Sequence, residues 1–359
     1  MNMRTNFKHF LWVFSLVAVS ILASCSDDDP EVQVDKTQLA AKITEANTVL
    51  DASVEGTAEG QFQIGSKAGL EAAIDLAEQV NASEDVTQTA VDNATTALNQ
   101  AIIDFQAKEV IAIEPDALVG HWTFDEGEGT STSDFSGNER TGTLTTGHSN
   151  WGAGSPEWTT DRYGNAAKAL HFGDGANVEI PYSTALNPEN MTISLWVNAD
   201  VEDPIWANNY MVSLNRWNGY KFQLQSANKA FMTVKADVDG SADPAYYDRD
   251  NESPELPQGE WLHVAVSFGG GEMTFYVNGQ EIKKWDNTPG TGISIADEPV
   301  NLTIGQDLPT STYSTDESSP YYVDWGGYFK GSLDEVRIYN KVLTATQIAS
   351  IYDVEKVAE

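Results

Sequence analysis

From residue 117 onward the chain is written in short runs that alternate apolar and polar side chains, separated by clusters of Gly, Pro, Asn and Asp. Met191, Ile193, Leu195 and Val197 alternate with Thr192, Ser194 and Trp196, and Leu262, Val264, Val266 and Phe268 repeat the pattern. Successive side chains of an extended strand point to opposite faces, so a period of two describes a strand with one face in a core. Met273 to Trp285 reads as a hairpin around Asn278-Gly279, a dipeptide that tolerates positive φ at both turn positions. About a dozen such strands in this region predict a two-sheet sandwich of jelly-roll type. All ten tryptophans except Trp12 lie there. Trp122, Trp196, Trp261 and Phe268 fall within strand runs and are mostly assigned to its core.

Residues 36–108 have a different texture, without proline or tryptophan. Leu39, Ile43, Ala46 and Leu50 share a helical face, as do Leu70, Ile74 and Ala77, and then Val91, Ala94, Leu98, Ile102 and Phe105. Glu55-Gly56 to Gly65 interrupts the first pair and Asn81-Ala82-Ser83 the second. The stripes suit a small three-helix bundle with a mini-core. Residues 109–116 read as a linker to the β domain, residues 117–355.

At the start, Arg4 and Lys8 precede an apolar run from Phe10 to Leu22, too short to span a bilayer comfortably and the right length for a secretory leader. Leu22-Ala23-Ser24-Cys25 resembles the lipobox of bacterial lipoproteins, which implies removal of residues 1–24 and acylation of Cys25. Ser26 to Pro30, within a tether of residues 25–35, resembles the acidic surface-export signal of Bacteroidota lipoproteins. The resemblance implies an outer-membrane lipid anchor with the protein facing the cell exterior. Cys25 is the sole cysteine, so neither a disulfide framework nor a cysteine-rich metal site can be built. The chain has 54 acidic against 20 basic side chains, a formal charge of −34. Loss of Arg4 and Lys8 with the leader makes it −36. Such a surface repels phosphate backbones, and nucleic acid is excluded as a partner.

Ordered motifs in the β region carry a further resemblance. They are Val119-Gly-His-Trp-Thr-Phe-Asp125, Asp134-Phe-Ser-Gly-Asn138, Ala169-Leu-His-Phe-Gly-Asp-Gly175, Thr192-Ile-Ser-Leu-Trp-Val197 and Gly331-Ser-Leu-Asp-Glu-Val-Arg-Ile-Tyr339. Together they resemble the laminin-G-like branch of the concanavalin A-like lectin/glucanase superfamily. The fold expected is therefore mainly β, a laminin-G-like jelly-roll sandwich preceded by a small three-helix bundle. That bundle resembles the FIVAR-type spacers of bacterial surface proteins, best at Gly60 to Ser66. Thr344 with Gln347 three residues later predicts a capped terminal helix, stapled by Leu343 and Ile348.

Glycoside hydrolysis needs two carboxylates about 5 to 10 Å apart. The Glu-x-Asp-x-x-Glu strand of the glucanase branch is absent, and Asp334-Glu335 would point to opposite faces of a strand. No Gly-x-Ser-x-Gly elbow is present, and His121, His171 and His263 lie in strand patterns. A non-catalytic chain is expected. For a metal, the laminin-G-like resemblance implies calcium held by Asp125, Asp134, Asn138 and Asp334, while an Asx turn at Asp134 and Asn138 is the alternative. Saccharide recognition stacks sugar C–H faces on aromatic rings and orients them with polar side chains. Three stretches offer that mixture: Trp206, Tyr210, Arg216 and Trp217; Tyr246, Tyr247 and Arg249; and Tyr321, Tyr322 and Trp325. Packing under their own loops is the alternative for each aromatic.

These readings converge on a surface lipoprotein that captures a polysaccharide for an outer-membrane uptake complex. Net charge favours a neutral glycan, although Arg216, Lys221, Lys229, Lys235 and Arg249 cluster between two of the aromatic stretches. The alternatives are an adhesion or scaffold lipoprotein binding protein, and a divergent glycoside hydrolase.

Overall fold

The computed structural model describes residues 33–357. Residues 1–32, with Cys25 and the acidic segment after it, lie outside the described residues.

Helices α1 (Thr37–Ala52), α2 (Lys67–Ala82) and α3 (Gln88–Gln106) form on the expected apolar stripes. Leu39, Ile43, Leu70, Ile74, Val91, Leu98, Ile102 and Phe105 meet in one core. Phe62, from the loop between α1 and α2, stacks on Phe105 with ring centroids 4.4 Å apart. Thr87 caps α3 by accepting from the Ala90 amide, satisfying one of the orphan donors of the first turn. Among the described residues, no helix is long and apolar enough to cross a membrane.

The β region forms two antiparallel sheets. Across the first run strands Gln280–Trp285, Glu272–Val277, Leu262–Gly269, Met191–Ala199, Gly331–Tyr339, Ala169–Phe172 and Glu157–Thr159, with Leu118–Trp122 also on Gly331–Tyr339. Across the second run Ala245–Asp250, Lys229–Asp237, Tyr220–Gln225, Asn209–Leu214, Leu302–Ile304, Asn177–Ile180, Gly142–Thr145 and Ser131–Thr132, with Thr291–Gly292 on Lys229–Asp237. The alternating residues of the long strands fill the space between the sheets. Leu195, Val264, Val266, Phe275, Phe222, Leu224, Val234 and Ile304 are all buried there, together with Trp122 and Phe268. Burying each such side chain contributes about 1.5 to 3 kcal/mol, so this core dominates the domain's stability.

Simple alternation fails at one place. A bulge in Gly331–Tyr339 between Asp334 and Arg337 puts Glu335 in the left-handed region, with φ of 53°. Both carboxylates therefore face Arg162, Asp334 through Nη1 and Glu335 with Nη2 3.9 Å away. The expectation that they lie on opposite faces is corrected by this bulge, which inserts an extra residue and re-aims the side chain.

Helix α4 (Ala345–Glu355) carries the reciprocal capping box of Thr344 and Gln347. Leu343 and Ile348 bury against Ala265, Tyr276 and Tyr339 on the outer side of the first sheet. Gln347 Nε2 donates to the Ala112 carbonyl at 2.8 Å, and the Ile111 amide donates to Ser350 Oγ at 3.0 Å, so α4 also fastens the connection to the helical bundle. The first sheet is thus covered on its outer side. The outer side of the second sheet is left to polar residues and loops.

Candidate functional site

Inward-facing Tyr220, Phe222 and Leu224 alternate with Lys221 and Gln223, and inward-facing Ala230, Met232 and Val234 alternate with Phe231, Thr233 and Lys235. The second set of each points away from the core. A bulge between Tyr210 and Val212 lets Met211 and Val212 both enter the core and turns Tyr210 outward. Strand register then aligns Ser213, Lys221, Thr233 and Asp248 in one row, and Tyr210, Gln223, Phe231 and Asp250 in the next.

The connection from Leu214 to Tyr220 places Asn215 and Arg216 consecutively in the left-handed region, with φ of 58° and 49°. For non-glycine residues that conformation costs roughly 1 to 2 kcal/mol each. It turns Arg216 inward, where Nε donates to Asp307 Oδ2 at 2.5 Å, and leaves Trp217 38% exposed at the rim. Asp307 also accepts from the Tyr313 hydroxyl and from the Gly327 amide, and its backbone carbonyl accepts from Ser213 Oγ. One buried carboxylate therefore binds the loop around 216 to the loop of residues 313–328. Glycine is required where they meet: a Cβ on Gly327 would lie 2.4 Å from the Tyr210 ring, and one on Gly326 would lie 2.8 Å from Arg216 Nη2. Trp325, just before them, is 47% exposed and meets Tyr322 edge-on.

Within this frame Lys221 Nζ lies 5.0 Å from the Tyr210 ring, 5.7 Å from Trp217 and 6.0 Å from Phe231. Burial pulls its pKa down to about 8; Asp307 and Asp248 resist the shift and Arg216 adds to it. Thr233 Oγ1 donates to Asp248 Oδ1 at 2.6 Å. Gln223 Oε1 and Arg216 Nη2 are buried with no hydrogen-bond partner. Beside the cage opens a recess of about 430 Å3, lined by Lys229, Phe231, Asp248, Asp250 and Trp285 among others. Aromatic faces, an ammonium group and unsatisfied amide and guanidinium groups on one surface can bind a polar ring compound.

The structure brings Tyr210, Arg216 and Trp217 together with the 321–325 stretch. Tyr246 shares the outer face, its ring 5.5 Å from Lys235 Nζ. Tyr247 does not belong with them. Residues 245–250 form a strand on which Tyr247 turns inward, its hydroxyl donating to the Pro289 carbonyl, while Arg249, half-buried with its guanidinium 5.1 Å from the Trp285 ring centroid, lines the recess beside the cage. Trp206 is bound by its own surroundings, with Nε1 donating to the Tyr328 carbonyl and its ring against Tyr328 and Lys330. Sequence reasoning missed Lys221 as a cage centre, and Gln223, Phe231 and Asp307 altogether. The polar members of Tyr220–Gln225 were the available signal, since a fully buried strand has no need of them.

The residues expected to hold calcium each have partners within the protein. Asp134 Oδ1 accepts from the His121 and Ser136 amides and Oδ2 from the Arg140 amide, while Asn138 Nδ2 donates to the Leu118 and Val119 carbonyls. Asp334 is paired with Arg162, and burial raises its carboxyl against that pull. Asp125 is near Lys168, at 3.8 Å. A hard cation takes about six to eight oxygens. Among the described residues, no group of three or more His, Cys, Asp or Glu is placed to hold one. Asp134 forms an Asx turn with Ser136.

The fold is a β-sandwich of two antiparallel sheets of the concanavalin A-like type. Residues 172–349 match the laminin-G family described as the concanavalin A-like lectin/glucanases superfamily. Among solved structures, domain 4 of AbnA, a GH43 extracellular arabinanase from Geobacillus stearothermophilus in complex with arabinotriose, is similar at 21% identity and a TM-score of 0.47, over 66% of this chain and 98% of that one. The receptor binding domain of botulinum neurotoxin mosaic serotype C/D is similar at 13% identity and a TM-score of 0.44, over 67% of this chain and 51% of that one. No match was found among curated proteins.

Proposed function

We propose that this protein is a non-catalytic, lipid-anchored surface protein that binds saccharide on the outer face of the second sheet and serves an outer-membrane polysaccharide-uptake system. The observation that carries the binding reading is the pairing of exposed Trp217 and Trp325 with a floor of buried polar groups, two of them unpartnered. Exposed rings supply stacking surface, and orphaned amide and guanidinium groups are costly unless a ligand satisfies them. The family match over residues 172–349 supports the same reading. Against hydrolysis, Asp307 is occupied by Arg216, Tyr313 and Gly327, and Asp248 by Thr233, so neither is free to act as acid or nucleophile. The anchor rests on Leu22-Ala23-Ser24-Cys25 alone.

Affinity electrophoresis and calorimetry against a panel of neutral and acidic polysaccharides test this. Trp217→Ala and Trp325→Ala are each expected to weaken binding about tenfold or more while melting within a degree or two of the parent, as for aromatic anchors on a surface. Capture of a surface protein with no polysaccharide bound would replace this reading by that of an adhesion or scaffold lipoprotein.

A further inference from the structure

Lys221 differs from the other deeply buried cations of the β domain. Arg216 holds Asp307 and Arg162 holds Asp334. Lys221 is only 6% exposed, yet its Nζ has no carboxylate and no hydrogen-bond acceptor within bonding distance among the described residues. Three aromatic rings lie within 6.0 Å of it, and Asp307 and Asp248 act on it only from beyond ion-pair distance. The carboxylates that share its face are engaged elsewhere, Asp307 by Arg216 and Asp248 by Thr233. Two residues along the same strand face, the Gln223 carbonyl oxygen is also buried and unpartnered. A desolvated ammonium whose nearby carboxylates, Asp307 and Asp248, act on it only from beyond ion-pair distance and are bonded to other groups is an unfavourable arrangement unless something bound supplies a closer counter-charge.

We propose that Lys221 receives the anionic group of an acidic saccharide, so that the ligand of this face is a sugar bearing a carboxylate or sulfate ester. The inference rests on the saccharide reading above and adds the class of sugar. The anion lies against Lys221 Nζ, the ring packs on the cage aromatics at the rim, and the Gln223 carbonyl accepts from a ring hydroxyl. The strong negative charge of the whole chain does not prevent this. At physiological salt, exposed charges beyond about 8 Å are largely screened, whereas an ammonium at contact in a desolvated site is not.

The test is calorimetry on the full chain in detergent, with oligomers of galacturonate, glucuronate and mannuronate, the methyl esters of each, a sulfated galactan oligomer, and neutral glucan, xylan, mannan and arabinan. At least one acidic oligomer is expected to bind tenfold or more tighter than its neutral counterpart, with affinity falling as salt rises and as pH rises beyond about 8. Binding of a uronate identifies the carboxylate as the source; binding of the sulfated oligomer alone identifies the sulfate ester. Lys221→Met and Lys221→Gln should abolish the preference for the acid, Lys221→Arg should retain part of it, and circular dichroism should show all three folded. Neutral and esterified oligomers binding as tightly as the acids, unaffected by Lys221→Met, would overturn this inference and leave the saccharide reading standing. If no saccharide of any class binds, the saccharide reading itself fails.

Discussion

Moving an ammonium group out of water is unfavourable unless acceptors replace its lost hydration, and Lys221 has aromatic rings against it with Asp307 and Asp248 only beyond ion-pair distance. The folded-state pKa of about 8 lies below the ordinary 10.5, so between those values the unfolded chain binds more protons. Stability should therefore rise with pH across that window, and the full penalty is present below it. At pH 7 Lys221→Met is expected to stabilise the β domain by on the order of 2 kcal/mol and to flatten that slope, measured by urea unfolding at pH 7, 8.5 and 10. A variant less stable than the parent at pH 7 would mean that the cation–π contacts outweigh desolvation. Arg216 belongs to the same arrangement: its left-handed backbone and its pairing with Asp307 tie two loops to one residue.

At the scale of elements, Asp134 organises the turn after the first strand by accepting three backbone amides. Asp134→Ala orphans those donors and should destabilise the β domain by about 1 to 3 kcal/mol. The loss should be the same in calcium and in chelator, as read from melting curves. A calcium-dependent melting shift that disappears in Asp134→Ala would instead restore the cation reading. In the helical bundle, Leu98 is almost fully buried between α2 and α3 neighbours. Leu98→Ala should cost about 2 to 5 kcal/mol of bundle stability while leaving saccharide affinity unchanged, because the site is built wholly from the β domain. A matching loss of affinity would show that the two modules are coupled.

For the whole molecule, the linker is held along α4. Gln347 and Ser350 of α4 bind the backbone of Ala112 and Ile111, and Lys108 lies 3.9 Å from Asp353. The bundle is therefore fastened to the first-sheet side of the sandwich, and the candidate site lies on the second-sheet side. In the proposed surface setting the bundle acts as a spacer between anchor and site. Cys25→Ala is expected to abolish acylation and release the protein from membranes into the soluble fraction on fractionation. Membrane retention of that variant would overturn the anchor.

Local pattern determined much of this protein before any packing was considered. Period-two alternation in Met191 to Val197 and Leu262 to Phe268 specified strands, because one side of each had to be dry. The steps of three and four through Val91, Leu98 and Phe105 specified α3. Asn278-Gly279 and Thr344 with Gln347 marked a turn and a cap, with φ of 48° and 75° in the turn and both capping bonds present in the helix. Of the site, the sequence marked the aromatics near 217 and 325 but could not tell which loops share a face. That depended on the register of the four strands Asn209–Leu214, Tyr220–Gln225, Lys229–Asp237 and Ala245–Asp250, and on the bulge that turns Tyr210 outward. Reading residues 245–250 as a loop put Tyr247 in the site, and strand pairing moved it to the inner side. Asp307 and Lys221, 86 positions apart, were joined only in three dimensions. A desolvated charge is created by neighbours distant in sequence, so only the tertiary structure decided where this one would be.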